Sequence, residues 1–72
     1  MKKIFVLQDA ITKQYFWTYR ADTGFGQSLD EARTYETREK AEEGLVEEMD
    51  IEPDKFAGRY IEVVELYRIP TN

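Results

Sequence analysis

The hydrophobic pattern changes period several times along the chain. Residues 3–8, Lys3-Ile4-Phe5-Val6-Leu7-Gln8, are apolar at consecutive positions, so Phe5 and Leu7 share one face and Ile4 and Val6 the other. A short β-branched and aromatic run of this kind predicts a strand, and apolarity on both faces suits a central strand rather than an edge. Residues 9–13 read as a polar connection, longer than a two-residue hairpin loop and suited to a loop with a bulge. Strict alternation returns over residues 14–20. It places Tyr15, Trp17 and Tyr19 on one face, with Phe16, Thr18 and Arg20 on the other, and predicts a second strand. Residues 21–27 break that pattern. Gly24 and Gly26 permit positive φ, so this stretch is expected to be a loop carrying Phe25.

From residue 28 the period becomes helical. Ser28-Leu29-Asp30-Glu31 matches a capping box, in which the Ser28 hydroxyl accepts from the Glu31 N–H and the Glu31 carboxylate reaches back. A turn or two of helix should follow, burying Leu29 and Ala32, with a break near Tyr35. Thr37 is a second N-cap, and Glu39 then lies in the first turn, near the positive end of the helix dipole. Over residues 38–50 the apolar positions Ala41, Leu45 and Met49 recur at i+4, and Val46 widens the stripe. Gly44 in the middle costs about 1 kcal/mol relative to Ala. Pro53 fixes the exit and opens a turn-rich link over residues 53–58. A last strand over residues 59–69 alternates Ile61, Val63, Tyr67 and Ile69 against Tyr60, Glu62, Val64 and Leu66, until Pro70 stops it and Thr71 and Asn72 fray.

These elements make one small α+β domain over residues 1–72, with ββαβ topology. The expected architecture is a three-stranded antiparallel sheet of order 2-1-3, with one main helix packed on one face. Its first strand is central. The pattern leaves the second sheet face without a cover.

Composition narrows the function more than the fold. The chain has 72 residues, no Cys and no His. Ten aromatics argue against disorder. The apolar run after Met1-Lys2-Lys3 is four residues, short of the roughly 7 a signal peptide needs and the roughly 20 of a spanning helix. No membrane association is expected, and the absence of cysteine suits a reducing cytoplasm, that of the host cell if the gene is phage-borne. Charge is uneven. Residues 36–54 hold nine acids and two bases, a net of −7, which leaves +2 for the rest of a chain whose total is −5. Phosphate repulsion disfavours direct nucleic-acid binding through that half.

Without His or Cys the usual general base, nucleophile pair and nitrogen ligand are missing, so neither an enzyme nor a cofactor is expected. Gly26-Gln27-Ser28-Leu29-Asp30 resembles a nucleophile elbow but has Asp30 where the second glycine belongs. Gly24-Phe25-Gly26 is too short for a phosphate loop. Asp50, Glu52 and Asp54 have the 1-3-5 spacing of a calcium loop, yet Lys55 stands at its glycine and Ile61 at its last ligand. No metal is expected.

Two features point to binding. Tyr15, Trp17 and Tyr19 first predict core under the helix; exposed, such rings anchor protein partners or stack single-stranded bases, with Lys13 and Arg20 on phosphates. Phe25, flanked by glycines, either plugs the core end or stands out as an anchor. On the helix, Glu39, Glu43 and Glu47 follow i, i+4, i+8 with Glu42 and Glu36 beside them. Like charges at that spacing cost a few tenths of a kcal/mol each. The row is either a solubilising face or a charge row that imitates a phosphate backbone and docks on a basic partner.

The run Lys13-Gln14-Tyr15-Phe16-Trp17, then Gly24-Phe25, then Leu29-Asp30-Glu31-Ala32-Arg33-Thr34-Tyr35-Glu36-Thr37-Arg38-Glu39-Lys40-Ala41-Glu42 resembles small orphan proteins of phages and prophages. In that group a short hairpin leads to a Leu-x-x-Ala-Arg-x-aromatic-x-Thr-x-x-x-Ala segment and a last strand. The resemblance implies a ββαβ fold and a mobile-element origin, and no common activity. Expected, then, is a small acidic interaction module that inhibits a host protein with a basic surface, of the anti-CRISPR or anti-restriction kind. Partner-binding residues would be Glu39, Glu42, Glu43, Glu47, Trp17, Tyr15, Tyr19 and Phe25. The alternatives are single-stranded nucleic-acid or small-ligand binding through the Tyr15/Trp17/Tyr19 face, or a homodimer or larger homo-oligomer.

Overall fold

The run that is apolar on both faces forms the middle of the sheet. In the computed structural model, which describes residues 2–68, β1 (Lys2–Asp9) buries Phe5 and Leu7 on one side and Ile4 and Val6 on the other. The expectations for Ile69, Pro70, Thr71 and Asn72 lie outside the described residues. The remaining strands are β2 (Tyr15–Tyr19), β3 (Asp22–Gly26) and β4 (Ile61–Arg68), and the order across the antiparallel sheet is β3-β2-β1-β4.

The fold is α+β, and the expected neighbours of β1 are correct. The strand count is not. The expected loop over residues 21–27 contains β3, joined to β2 by a tight turn at Arg20 and Ala21, with Tyr19 opposite Asp22. Arg20 supplies the positive φ (56°) that such a hairpin demands. The two glycines read as loop residues sit inside the strand instead. Gly24 lies directly across from Trp17, and a Cβ there would come within 2.7 Å of the indole. The bare backbone of β3 makes room for the largest side chain in the chain.

Between β1 and β2 the ladder is short, with Gln8 opposite Tyr15 as its register pair. Past that point another segment fills the gap. Tyr35 exchanges both backbone hydrogen bonds with Phe5 (2.9 and 2.8 Å), and the Arg33 N–H donates to the Phe16 carbonyl (2.9 Å). Residues 32–35 are therefore stitched to both strands, which satisfies backbone groups that the short ladder leaves over.

The capping box at Ser28 does not form. Leu29–Glu31 is a single 3₁₀ turn, Ser28 makes no side-chain cap bond, and Leu29 is exposed rather than buried. Thr37 does cap. Its Oγ1 accepts from the Lys40 N–H at 3.1 Å and starts α1 (Arg38–Ile51). Pro53 opens α2 (Pro53–Phe56), one helical turn where a turn-rich link was expected.

The core lies between α1, α2 and one sheet face. Phe5, Leu7, Phe16, Ala41 and Phe56 form it, with Phe25, Tyr35, Leu45, Ile61 and Val63 packed around them. Phe16, Phe25 and Phe56 make an aromatic triangle with centroids 5.4–5.6 Å apart, each pair adding about 0.5–1.5 kcal/mol beyond area burial. The stripe of α1 is narrower than expected: Ala41 and Leu45 face inward, while Val46 (68% exposed) and Met49 (47%) do not. Tyr35, paired with Phe5 through the backbone, adds its ring to the same core beside the helix.

Candidate functional site on the outer face of the main helix

Burial of Ala41 fixes the rotation of α1, and the 3.6-residue period does the rest. Glu39, Glu43 and Glu47 point away from the sheet, and with Glu42 and Val46 they line one open depression of about 530 Å³. Four of the expected site residues are thus brought together. Val46, unforeseen as a surface residue, adds an apolar contact among the carboxylates.

Among the described residues no lysine or arginine pairs with Glu39, Glu42, Glu43 or Glu47. The nearby cations are committed elsewhere. Lys40 pairs with Glu36 at 3.8 Å. Arg38 places its guanidinium over the Phe5 ring (5.6 Å), and Arg33 lies over Tyr35 (5.3 Å) while donating to the Thr18 hydroxyl (3.3 Å). Arg33 and Lys40 border a smaller depression on the other flank of Glu43 and Glu47, without reaching ion-pair distance of either.

The aromatic row sits elsewhere. Tyr15, Trp17 and Tyr19 occupy the sheet face opposite α1, because Phe16 is the fully buried member of that strand and alternation sends its neighbours the other way. Core under the helix, the first expectation for these rings, is therefore corrected. Trp17 is half-buried against Gly24 and Gly26, whereas Tyr19 is exposed with Arg20 over its ring at 5.4 Å. Trp17, Thr18, Tyr19 and Glu31 line a depression of about 480 Å³. Phe25 does not stand out as an anchor. It folds back into the aromatic triangle, and the Arg59 guanidinium stacks on it at 4.0 Å. Of the three calcium-spaced acids, Glu52 is already engaged, accepting from the Thr23 hydroxyl (3.1 Å) and pairing with Lys55 (3.5 Å).

One polar cluster escaped the sequence reading. Asp9, 2% exposed at the end of β1, accepts from the N–H groups of Ile11 (2.9 Å) and Thr12 (3.2 Å) and from Arg59 (3.1 Å). The backbone bond from Ile11 leads in holding its carboxyl below the ordinary range, burial opposes, and Thr12 and Arg59 add to the depression. An aspartate closing a strand before Ala-Ile-Thr is an Asx-turn signal that could have found it. This cluster ties the β1–β2 loop to the residues just before β4.

Set beside known proteins, the chain matches no family model, no curated protein and no solved structure.

Proposed function

We propose that this chain is a small acidic protein-interaction module that docks the outer face of α1 on a host protein with a basic surface and blocks it, as anti-CRISPR or anti-restriction inhibitors of phages do. The observation that carries this reading is the row Glu39, Glu42, Glu43 and Glu47 around exposed Val46, with no cation paired to it among the described residues. Along a helix, carboxylates at i, i+4, i+8 repeat every ~6 Å. A basic groove built for a phosphate backbone meets a comparable line of negative charge, and the Val46 side chain adds apolar contact that a nucleic acid lacks. The inhibitor class rests on analogy of size and charge. In chemistry the module needs neither catalyst nor cofactor.

Affinity capture from a bacterial lysate tests it. A basic partner should be retained at low ionic strength, lost as salt screens the row, and lost with Glu43→Lys/Glu47→Lys. Capture that survives both changes removes the acidic face from the account.

The depression beside Trp17 and Tyr19, with Arg20 stacked over the Tyr19 ring, favours one second reading, the binding of a single-stranded nucleic acid or a small ligand. Titration of the single tryptophan with oligonucleotides at low salt decides it, since stacking near Trp17 must quench its fluorescence.

A further inference from the structure

The two edges of the sheet are treated differently. At the β3 edge, Phe16 turns its carbonyl away from β3 to Arg33, so alternation leaves Thr23 and Phe25 with backbone groups facing outward. That edge is blunted: the Lys55 ammonium donates to the Thr23 carbonyl, and Glu52 accepts from the Thr23 hydroxyl. A lysine over an edge carbonyl is a familiar guard against strand addition.

The β4 edge has no such guard. Phe5 and Asp9 direct their backbone groups toward Tyr35 and Gln14, so Ile4, Val6 and Gln8 face β4, in register with Leu66, Val64 and Glu62. By the same alternation Ile61, Val63, Glu65 and Tyr67 point their N–H and C=O groups outward. Among the described residues none of these groups has a backbone partner. The strand is eight residues long, without proline, and half-buried at Val63, Val64 and Leu66.

We infer that this edge pairs antiparallel with the β4 edge of a second copy of the chain, about a two-fold axis at Glu65, joining two four-stranded sheets into one of eight strands. The sequence of β4 complements itself in that register. Glu62 faces the partner's Arg68 and Arg68 the partner's Glu62, both on the face away from α1. Between them Val64 meets the partner's Leu66. On the helix side Val63 meets the partner's Tyr67, which gives the exposed Tyr67 ring (59%) an apolar surface to cover. The single like-charge contact, Glu65 with its symmetry mate, is offset within each chain by Lys3 at 3.8 Å and by the Tyr67 hydroxyl, which donates to Glu65 at 3.3 Å. A slip by two residues would set Glu62 against Leu66 and lose both ion pairs, so charge selects the register. This surface is distinct from the acidic face of α1 and stands or falls separately from it.

Sedimentation equilibrium of the full chain from about 1 μM to about 1 mM tests the pairing. The expected result is a concentration-dependent dimer. Glu65→Pro removes an outward N–H that β1 does not use and leaves a folded monomer. Glu62→Arg sets two arginines face to face at each end and loosens the dimer about ten-fold, and Glu62→Arg/Arg68→Glu restores it. A monomer across the whole range overturns the inference, as does a dimer indifferent to Glu62→Arg. If Glu65→Pro unfolds the strand, the charge exchange alone decides.

Discussion

The Tyr35 ring lies against the backbone of Gly44, so close that a Cβ at position 44 would sit 2.7 Å from both Cε1 and the phenolic oxygen. A glycine in mid-helix costs about 1 kcal/mol in propensity, and here the cost admits a ring that covers the sheet beside Phe5. Gly44→Ala should therefore lower stability by about 1 kcal/mol, despite the better helix former, because the half-buried ring must be displaced. In a Tyr35→Ala background the same substitution should gain about 1 kcal/mol. Urea unfolding of the four proteins measures the coupling, and equal effects in both backgrounds would refute the contact.

Trp17 and Gly24 repeat the arrangement across two strands. Gly24→Ala puts a methyl group 2.7 Å from the indole, and it should cost about 1–3 kcal/mol and shift the Trp17 emission to the red as the ring is lifted into water. Gly26→Ala meets the same ring at an ordinary 3.5 Å and should leave both stability and emission near their starting values.

These two pairs explain what was legible in the sequence. Ile4, Phe5, Val6 and Leu7 announced a central strand because burial on both faces leaves a direct mark on composition. Ala41 was placed by periodicity. Phe16 was not, because alternation separates the two faces of β2 without saying which one meets the helix, and the larger rings of Tyr15, Trp17 and Tyr19 were given that face. Gly24 and Gly26 were misread because the same residue type serves turns and close packing, and only the cross-strand partner, Trp17, distinguishes them. The turn that exists, at Arg20 and Ala21, carries no glycine. The acidic row of α1 could be located from spacing alone, since surface charge follows from the rotation that buries Ala41. The Asp9–Arg59 pair could not, because its members are fifty positions apart.

The two N-cap candidates give a paired prediction. Thr37 caps α1 through Lys40, so Thr37→Ala should cost about 1 kcal/mol. Ser28 makes no cap bond and precedes only one 3₁₀ turn, so Ser28→Ala should change stability by less than about 0.5 kcal/mol. Thermal unfolding followed by circular dichroism separates them. A larger loss at Ser28 than at Thr37 would restore the capping box.

Asp9 contributes to the acid limb of the stability profile. Its carboxyl titrates lower in the folded chain than in the unfolded one, so the stabilisation it contributes is fully present above the unfolded value of about 4. It is lost as the pH falls below that toward the folded value, when the protonated acid accepts less strongly from the Ile11 and Thr12 N–H groups and no longer pairs with Arg59 as a charge. Asp9→Asn should flatten the stability profile below about pH 4 while lowering the plateau above it. At the other limit, burial leads in raising the Tyr35 phenol above its ordinary value, with Glu48 and Glu47 reinforcing and Arg33 opposing. Stability held by the neutral ring is then present below about pH 10 and lost as the pH rises through the folded value. An acid limb unchanged by Asp9→Asn would show that other carboxylates govern it.

The acidic row makes a prediction in which stability and binding move in opposite directions. Glu43 has a like charge one turn away on each side, Glu39 and Glu47, and Glu43→Lys converts both repulsions into i, i+4 attractions. Stability should rise by about 0.5–1 kcal/mol at low salt, and the gain should shrink as salt is added. Adding Glu47→Lys to Glu43→Lys should return part of that gain, because the two introduced lysines are then like charges one turn apart. If the row serves only solubility, the stabilised variants keep every interaction of the parent. If it is a docking face, the variants that unfold at higher urea are the ones that lose the basic partner. Parallel urea titrations and salt-graded capture on the same three proteins separate the two, because a binding loss with a stability gain cannot come from damage to the fold.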